Sequence, residues 1–337
     1  MKVSLKDIAN QLQLSKTTVS WVLSGKGDEK GISMATQEKV FVHARKMNYQ
    51  PNLLARSLHT GQSGTIGLII PEISDTFYSE IAQEVEAAAE KYGYSLMISG
   101  SGSQWEREER MIRLFRSRQV DGIVIAPTKQ SRKEILHMIN DSYPFVVVDR
   151  YFPELNTNYI IIDNEESSYK LVKHLIKKGH RKIAMLSVNS YLKSLSLREK
   201  GYLCALKDSG MEINPALCRE VPFHNYKTNI FTILDEMYKQ EPDIDAFFFT
   251  SHVLILEAFT YFYDNNININ DTGLACIHDL SAFRVLAPRI NTARMPVEQM
   301  GSEAVRILIN EINQKQLKMK QLKKESIVLS CSLSYRE

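Results

Sequence analysis

Only four cysteines occur in 337 residues, at Cys204, Cys218, Cys276 and Cys331, and no two form a C-x-x-C pair. That spacing indicates neither a zinc ribbon nor a disulfide framework, and scattered thiols of this kind are expected in the core of a cytoplasmic protein. Long apolar runs are also missing. The richest stretch, Phe247 to Phe262, is broken by Ser251, His252 and Glu257, so no membrane span is expected. The amino-terminal residues carry charge and lack the apolar segment of a secretory signal. No G-x-x-x-x-G-K-[ST], G-x-S-x-G or H-E-x-x-H is present, and the eight histidines show no metal-ligand spacing. Gly100-Ser101-Gly102 lacks the third glycine of a dinucleotide loop. No metal or cofactor is expected. One pairing of carboxylates, Asp149 with Asp163, keeps a sugar-modifying enzyme as a remote alternative, because their separation is not set by sequence.

What is present is concentrated at the start of the chain. In Leu5 to Ser24, Leu5, Ile8, Ala9 and Leu12 recur at helical spacing and give one apolar face. Ser4 and Asp7 have the spacing of a capping box, and Ser15 stands where it can cap a second helix after a turn at Gln13-Leu14. Val19, Val22 and Leu23 then point inward, while Thr17, Ser20, Trp21 and Ser24 lie opposite, led by Lys16. Two short helices, the second with a polar outer face, form a helix-turn-helix that offers side chains to a major groove. A buried helical hairpin would leave that polar face without partners.

Charge supports the same division. Residues 1–60 hold nine basic side chains (Lys2, Lys6, Lys16, Lys26, Lys30, Lys39, Arg45, Lys46 and Arg56) against Asp7, Asp28, Glu29 and Glu38, a balance of +5. The whole chain nets only +3, so the remainder nets −2. A basic module on a near-neutral body points to a polyanion partner for that module alone.

Downstream, a polar loop (Gly25 to Gly31) precedes a third helix from near Ser33, which buries Val40, Ala44 and Met47. Pro51 interrupts it, and Asn52 to Leu58 has the length of two helical turns, too short to hold without a partner. Beyond Gly61 and Gly64 the pattern alternates. Strands are expected at Thr65–Ile70, Tyr94–Ser99, Gly122–Ala126, Pro144–Asp149, Tyr159–Ile162, Lys182–Val188, Ala246–Thr250, Gly273–Ile277 and Ser326–Ser332, with amphipathic helices between them. Such alternation means parallel sheets covered on both faces, here in two successive sets. Ligands bind such sheets beyond the carboxyl ends of the strands, which directs attention to Ile73–Tyr78, Asp149, Ser251 and His278.

These segments together resemble the LacI/GalR family of bacterial transcription regulators. The motifs that carry the resemblance are LKDIA, LSKTTVS, Tyr49-Gln50-Pro51-Asn52 and ARSL at Ala55–Leu58. They continue with GTIGLIIPEISDTFYSEI at Gly64–Ile81, QVDGIVIAP at Gln119–Pro127, VVVDR at Val146–Arg150 and GHRKIA at Gly179–Ala184. The resemblance implies an all-α helix-turn-helix domain (1–50), a hinge helix (51–61) and a two-lobed periplasmic-binding-protein-like body of doubly wound parallel sheets (62–337). Lobe 1 is expected at 62–160 and 292–320, and lobe 2 at 161–291 and 321–337.

It also implies a cytoplasmic homodimer or dimer of dimers that binds double-stranded operator DNA and answers to a small effector, a sugar or sugar derivative. A regulator controlled by a protein co-regulator, its cleft vestigial, is the alternative. Carried over by position, Lys6, Ser15, Lys16, Thr17, Thr18, Ser20, Trp21, Asn52, Ala55, Arg56 and Leu58 are implied DNA contacts, Leu58 as a minor-groove wedge. Ser74, Phe77, Asp149, Arg198, Phe223, Ser251 and His278 are implied effector contacts. Trp21 stands where many relatives carry Arg, so the fork that grips guanine is absent. Base contact and packing against the helix pair both remain open for it. Ser251-His252 and His278 depart from the usual Asn-Asp and Asp, which argues against a simple monosaccharide.

Overall fold

The computed structural model describes residues 3–49, 61–189, 192–317 and 323–336. The chain forms two compact units, Met1–Ser63 and Gly64–Glu337.

The first unit holds α1 (Leu5–Leu12), α2 (Lys16–Leu23) and α3 (Met34–Lys46). The expected capping box is present: the Ser4 amide donates to Asp7 Oδ2 at 2.8 Å, and the Asp7 amide donates to Ser4 Oγ at 3.4 Å. Gln13, in the left-handed region at φ 52°, ends α1 and turns the chain toward α2. A small core of Ile8, Ala9, Val19, Val22, Val40 and Ala44 joins the three helices. These are the positions that helical spacing marks as inward.

The second unit contains two six-stranded sheets. The first has the order β2-β1-β3-β4-β5-β11, formed by Thr65–Ile70 (β1), Ser95–Gly100 (β2), Gly122–Ile125 (β3), Phe145–Val148 (β4), Tyr159–Ile162 (β5) and Ser326–Leu329 (β11). All its pairings are parallel. The second is arranged β7-β6-β8-β9-β10-β12, from Ile183–Asn189 (β6), Cys218–Pro222 (β7), Ala246–Phe249 (β8), Gly273–Ile277 (β9), Asn291–Arg294 (β10) and Ser332–Ser334 (β12). Only β12 runs antiparallel to its neighbour. Each sheet begins with the same doubly wound order, and a crevice opens where the winding reverses direction.

Helices cover both faces. The first lobe uses α4 (Thr76–Lys91), α5 (Trp105–Ser117), α6 (Arg132–Asn140) and α12 (Val297–Gln316). The second uses α7 (Asn164–Lys177), α8 (Lys193–Lys207), α9 (Tyr226–Gln240), α10 (His252–Asp264) and the short α11 (Phe283–Leu286). The central strands β3, β4 and β8 are buried throughout, which is why they read as unbroken apolar runs.

The chain passes between the lobes after β5, after β10 and between β11 and β12. Here the expected division fails in detail. β10 belongs to the second sheet although residues from 292 were expected in lobe 1. The single last strand expected over Ser326–Ser332 is two strands, and β11 lies in the first sheet rather than the second. Asp163 organises this crossing. Its amide donates to the Leu329 carbonyl at 3.0 Å, and its Oδ1 accepts the Cys331 amide at 3.0 Å and the Ser167 hydroxyl at 2.7 Å. A carboxylate so engaged tethers two crossovers.

Two strands went unread. β7 (CREVP) is an edge strand that buries only Val221, and β10 (NTAR) buries Asn291 and Thr292, so neither presents an apolar run. Among the described residues no helix is long and apolar enough to cross a membrane.

Candidate DNA-reading helix and effector cleft

On α2, Lys16, Thr17 and Trp21 are exposed, and Thr17 and Trp21 are one turn apart on the same side. Lys6 on α1 is exposed as well. Ser15 and Thr18 are occupied by capping: the Thr18 amide donates to Ser15 Oγ at 2.9 Å and the two hydroxyls lie 2.8 Å apart. Ser20 is half-buried. Trp21 is 37% exposed, and its ring carries the Lys30 ammonium 5.8 Å from its centroid. It is therefore an outward aromatic face with a cation held near it, not a core residue. Asn52, Ala55, Arg56 and Leu58 lie outside the described residues.

In the second unit a cavity of about 160 Å³ opens at the carboxyl ends of the strands, with walls from both lobes. Five residues singled out from sequence meet there: Phe77, Asp149, Arg198, Phe223 and Ser251. Two do not. Ser74 is exposed on the loop before α4 and off the lining. His278 stands one layer behind the wall, 2% exposed, its ring edge-on to Phe77 with centroids 5.8 Å apart.

Asp149 reaches the cavity through a tight turn. At φ 61° it occupies the left-handed region, and the Arg150 amide closes on the Val148 carbonyl at 2.6 Å. Asp accepts that conformation more readily than most side chains. The turn aims two consecutive charged residues at the cleft. Tyr78 lies between them: its hydroxyl donates to Asp149 Oδ2 at 2.7 Å and accepts from Arg150 Nε at 3.1 Å. Burial holds the Tyr78 phenol well above its ordinary pKa, so it remains a donor.

Arg198 comes from the opposite lobe on α8 and is 5% exposed. Its Nε donates to Asn164 Oδ1 and its Nη1 to the Thr250 carbonyl, both at 2.7 Å. Two fixed bonds leave the planar fork rigid at the cavity edge. His252 opens α10 beside it, and burial, His278 and Arg198 together pull its pKa down to about 3. Asp75 caps α4 through the Phe77 amide at 2.9 Å, and burial raises its pKa.

The lining also includes Asp75, Tyr78, Arg150, Ser194, Tyr226 and His252, none of which sequence reasoning chose. Asp75 and Tyr78 were within the stretch flagged by the strand-end rule, and Arg150 and His252 adjoin chosen residues. Tyr226 follows the unread strand β7, and Ser194 lies in the helix after β6, beyond the strand end itself. What the arrangement can do is bind: carboxylate, guanidinium, hydroxyl and imidazole groups converge under Phe77, Phe223 and Tyr226. Among the described residues no cluster of His, Cys, Asp or Glu is placed to hold a metal.

Residues 4–52 match the family described as "Bacterial regulatory proteins, lacI family", and residues 63–328 match "Periplasmic binding proteins and sugar binding domain of LacI family". The chain belongs to the LacI family. Among curated relatives, the HTH-type transcriptional regulator RegA of Clostridium saccharobutylicum is 30% identical, covering 94% of this chain and 95% of that protein. Two solved structures share the fold. The lac repressor dimer bound to operator and the anti-inducer ONPF superposes with a TM-score of 0.83 at 21% identity, covering 100% of this chain and 98% of that one. The transcriptional regulator CelR–cellobiose complex gives 0.72 at 23%, covering 100% and 99%. This LacI-family chain is thus a DNA-binding transcription regulator with a sugar-binding type of effector domain.

Proposed function

We propose that this regulator represses transcription as a homodimer, reading its operator with Lys16, Thr17 and Trp21 and releasing or gaining it when a carbohydrate or carbohydrate derivative fills the cleft. The observation that carries this reading is the convergence of Asp149 and Arg198 from opposite lobes on one cavity under aromatic walls. A carboxylate accepts from paired hydroxyls and a guanidinium donates a planar fork, so the two together suit a polyhydroxylated ring or chain. The departures at Ser251, His252 and His278, and the second guanidinium at Arg150, favour a derivative over a plain monosaccharide. CelR, whose structure holds cellobiose, shares this fold, which supports a sugar class without naming the sugar.

Operator affinity changes only as far as the effector discriminates between the two dispositions of the lobes. Thermal-shift screening of the full chain against sugars, sugar phosphates and sugar acids tests the reading. A bound ligand at one hundred times its Kd adds about 2.7 kcal/mol, an easily read rise in Tm. Asp149→Asn and Arg198→Met should each abolish the rise, and the same ligand should shift operator affinity in a gel or anisotropy assay. If no small molecule raises Tm while operator binding persists, a protein co-regulator takes the place of the effector.

A further inference from the structure

At the cleft wall two histidines face each other, His252 on the lining and His278 behind it. His252 at the start of α10 and His278 after β9 bring their Nδ1 atoms to 3.2 Å, with rings 72° apart and centroids at 4.6 Å. Both are buried, at 7% and 2% exposure. Each outer nitrogen points to a carboxylate of the other lobe: His252 Nε2 lies 3.6 Å from Asp75 Oδ2, and His278 Nε2 lies 3.6 Å from Glu80 Oε2. The first lobe supplies both carboxylates, at the cap and second turn of α4, and the second lobe supplies both imidazoles. His278 is held at φ 90°, a strained conformation for a residue that carries a side chain.

We propose that His252 and His278 form a proton-linked latch between the lobes: one shared proton holds the chain Asp75, His252, His278, Glu80 together, and its loss lets the lobes part. Proton counting supports this. A carboxylate beside each Nε2 favours a proton on both outer nitrogens. The Nδ1 pair then makes a hydrogen bond only if one of the two carries a proton and the other does not. Three protons on two rings leave one positive charge between two carboxylates. With two protons, either two lone pairs meet at the Nδ1 contact or a bare Nε2 faces a carboxylate. With four, two N–H groups collide.

Charges on every packed element bear on the balance. Glu80 on α4 favours the shared proton through His278, and Arg198 on α8 opposes charge on His252; His278 favours ionised Asp75 while burial and Asp149 after β4 oppose it, and Arg294 on β10 stabilises ionised Glu80. The buried phenol of Tyr78 stays neutral.

The test is a pH series from 5 to 9 on the full chain, reading imidazole nitrogens by ¹⁵N-histidine NMR and the radius of gyration by X-ray scattering. As the shared proton leaves, the nitrogen signals of both buried rings should change in one common step, and the radius should rise at the same midpoint as pH increases. Glu80→Gln removes the carboxylate behind His278 and should lower that midpoint by about one unit. His278→Asn should remove the scattering step. Should that buried variant fail to fold, Glu80→Gln decides alone, because the Glu80 side chain is 43% exposed. Independent titration of the two rings with a constant radius, or a midpoint unmoved by Glu80→Gln, overturns the proposal.

Discussion

At the scale of single residues, Trp21 and Glu108 each carry a testable consequence of their surroundings. Trp21 offers one donor and a large apolar face where an arginine would offer a guanine-matching fork. Trp21→Arg should therefore change the preferred operator more than the overall affinity, which phosphate contacts supply. Binding-site selection on both proteins checks this, and identical consensus sequences would mean that Trp21 reads nothing. Glu108, fully buried in the first turn of α5, accepts the Thr128 amide at 3.0 and 3.2 Å. Burial outweighs those bonds and pushes its pKa from 4.5 to about 7. Because the folded value is raised, the folded state keeps a proton that the unfolded chain releases between those two pH values. Stability should fall as pH rises through that window and stay lowered above it. Glu108→Gln retains an acceptor and cannot ionise. Relative to wild type it should gain stability from pH 5 to pH 8, with a ceiling of about 3 kcal/mol, measured by urea unfolding. A glutamate in a helix's first turn reads as ordinary surface, so nothing local in the sequence announces its burial.

At the scale of elements, helix contacts set where the cleft residues stand. Arg198 lies one turn before Gly201 on α8, and Gly201 is where α8 meets α7. A Cβ there would come 2.3 Å from the Glu165 carbonyl oxygen and 2.9 Å from the Tyr169 amide nitrogen. Backbone cannot yield as a flexible side chain can. Helix propensity alone would favour Gly201→Ala by about 1 kcal/mol. Overpacking against a neighbouring helix costs about 1–3 kcal/mol or more. The clash should win, so Gly201→Ala is expected to lower the urea midpoint and to weaken effector binding by shifting Arg198. A higher midpoint would show that the two helices separate freely. The amphipathic helices and fully buried strands were readable because their periodicity comes from burial on defined faces. β7 and β10 were not, because an edge strand and a strand with buried polar groups lack that periodicity.

For the whole molecule, the division of charge between the units predicts how binding responds to salt. The +5 balance of residues 1–60, doubled in a dimer, places the electrostatic share of DNA affinity in that module. Each neutralised phosphate releases counterions, so log affinity should fall linearly as log salt rises. Anisotropy titrations between about 50 and 200 mM salt should show a loss of at least tenfold. A flat response would count against phosphate contacts by this module.

By itself the sequence determined the three-helix reader, the two parallel-sheet lobes and, among the cleft residues, Asp149, Ser251 and the stretch holding Phe77, because caps, helical spacing and buried apolar runs are local patterns; Arg198 and Phe223 were reached only through the family resemblance. It also placed the basic charge in one module, since charge needs only counting. The tertiary structure alone decided which residues meet across the lobes. Tyr78 bridging Asp149 and Arg150, Asp163 tying two crossovers, β11 in the first sheet and the histidine pair at the wall all join segments far apart in the chain. Their meeting depends on how the two sheets are threaded, and one strand more or less in either sheet would separate them.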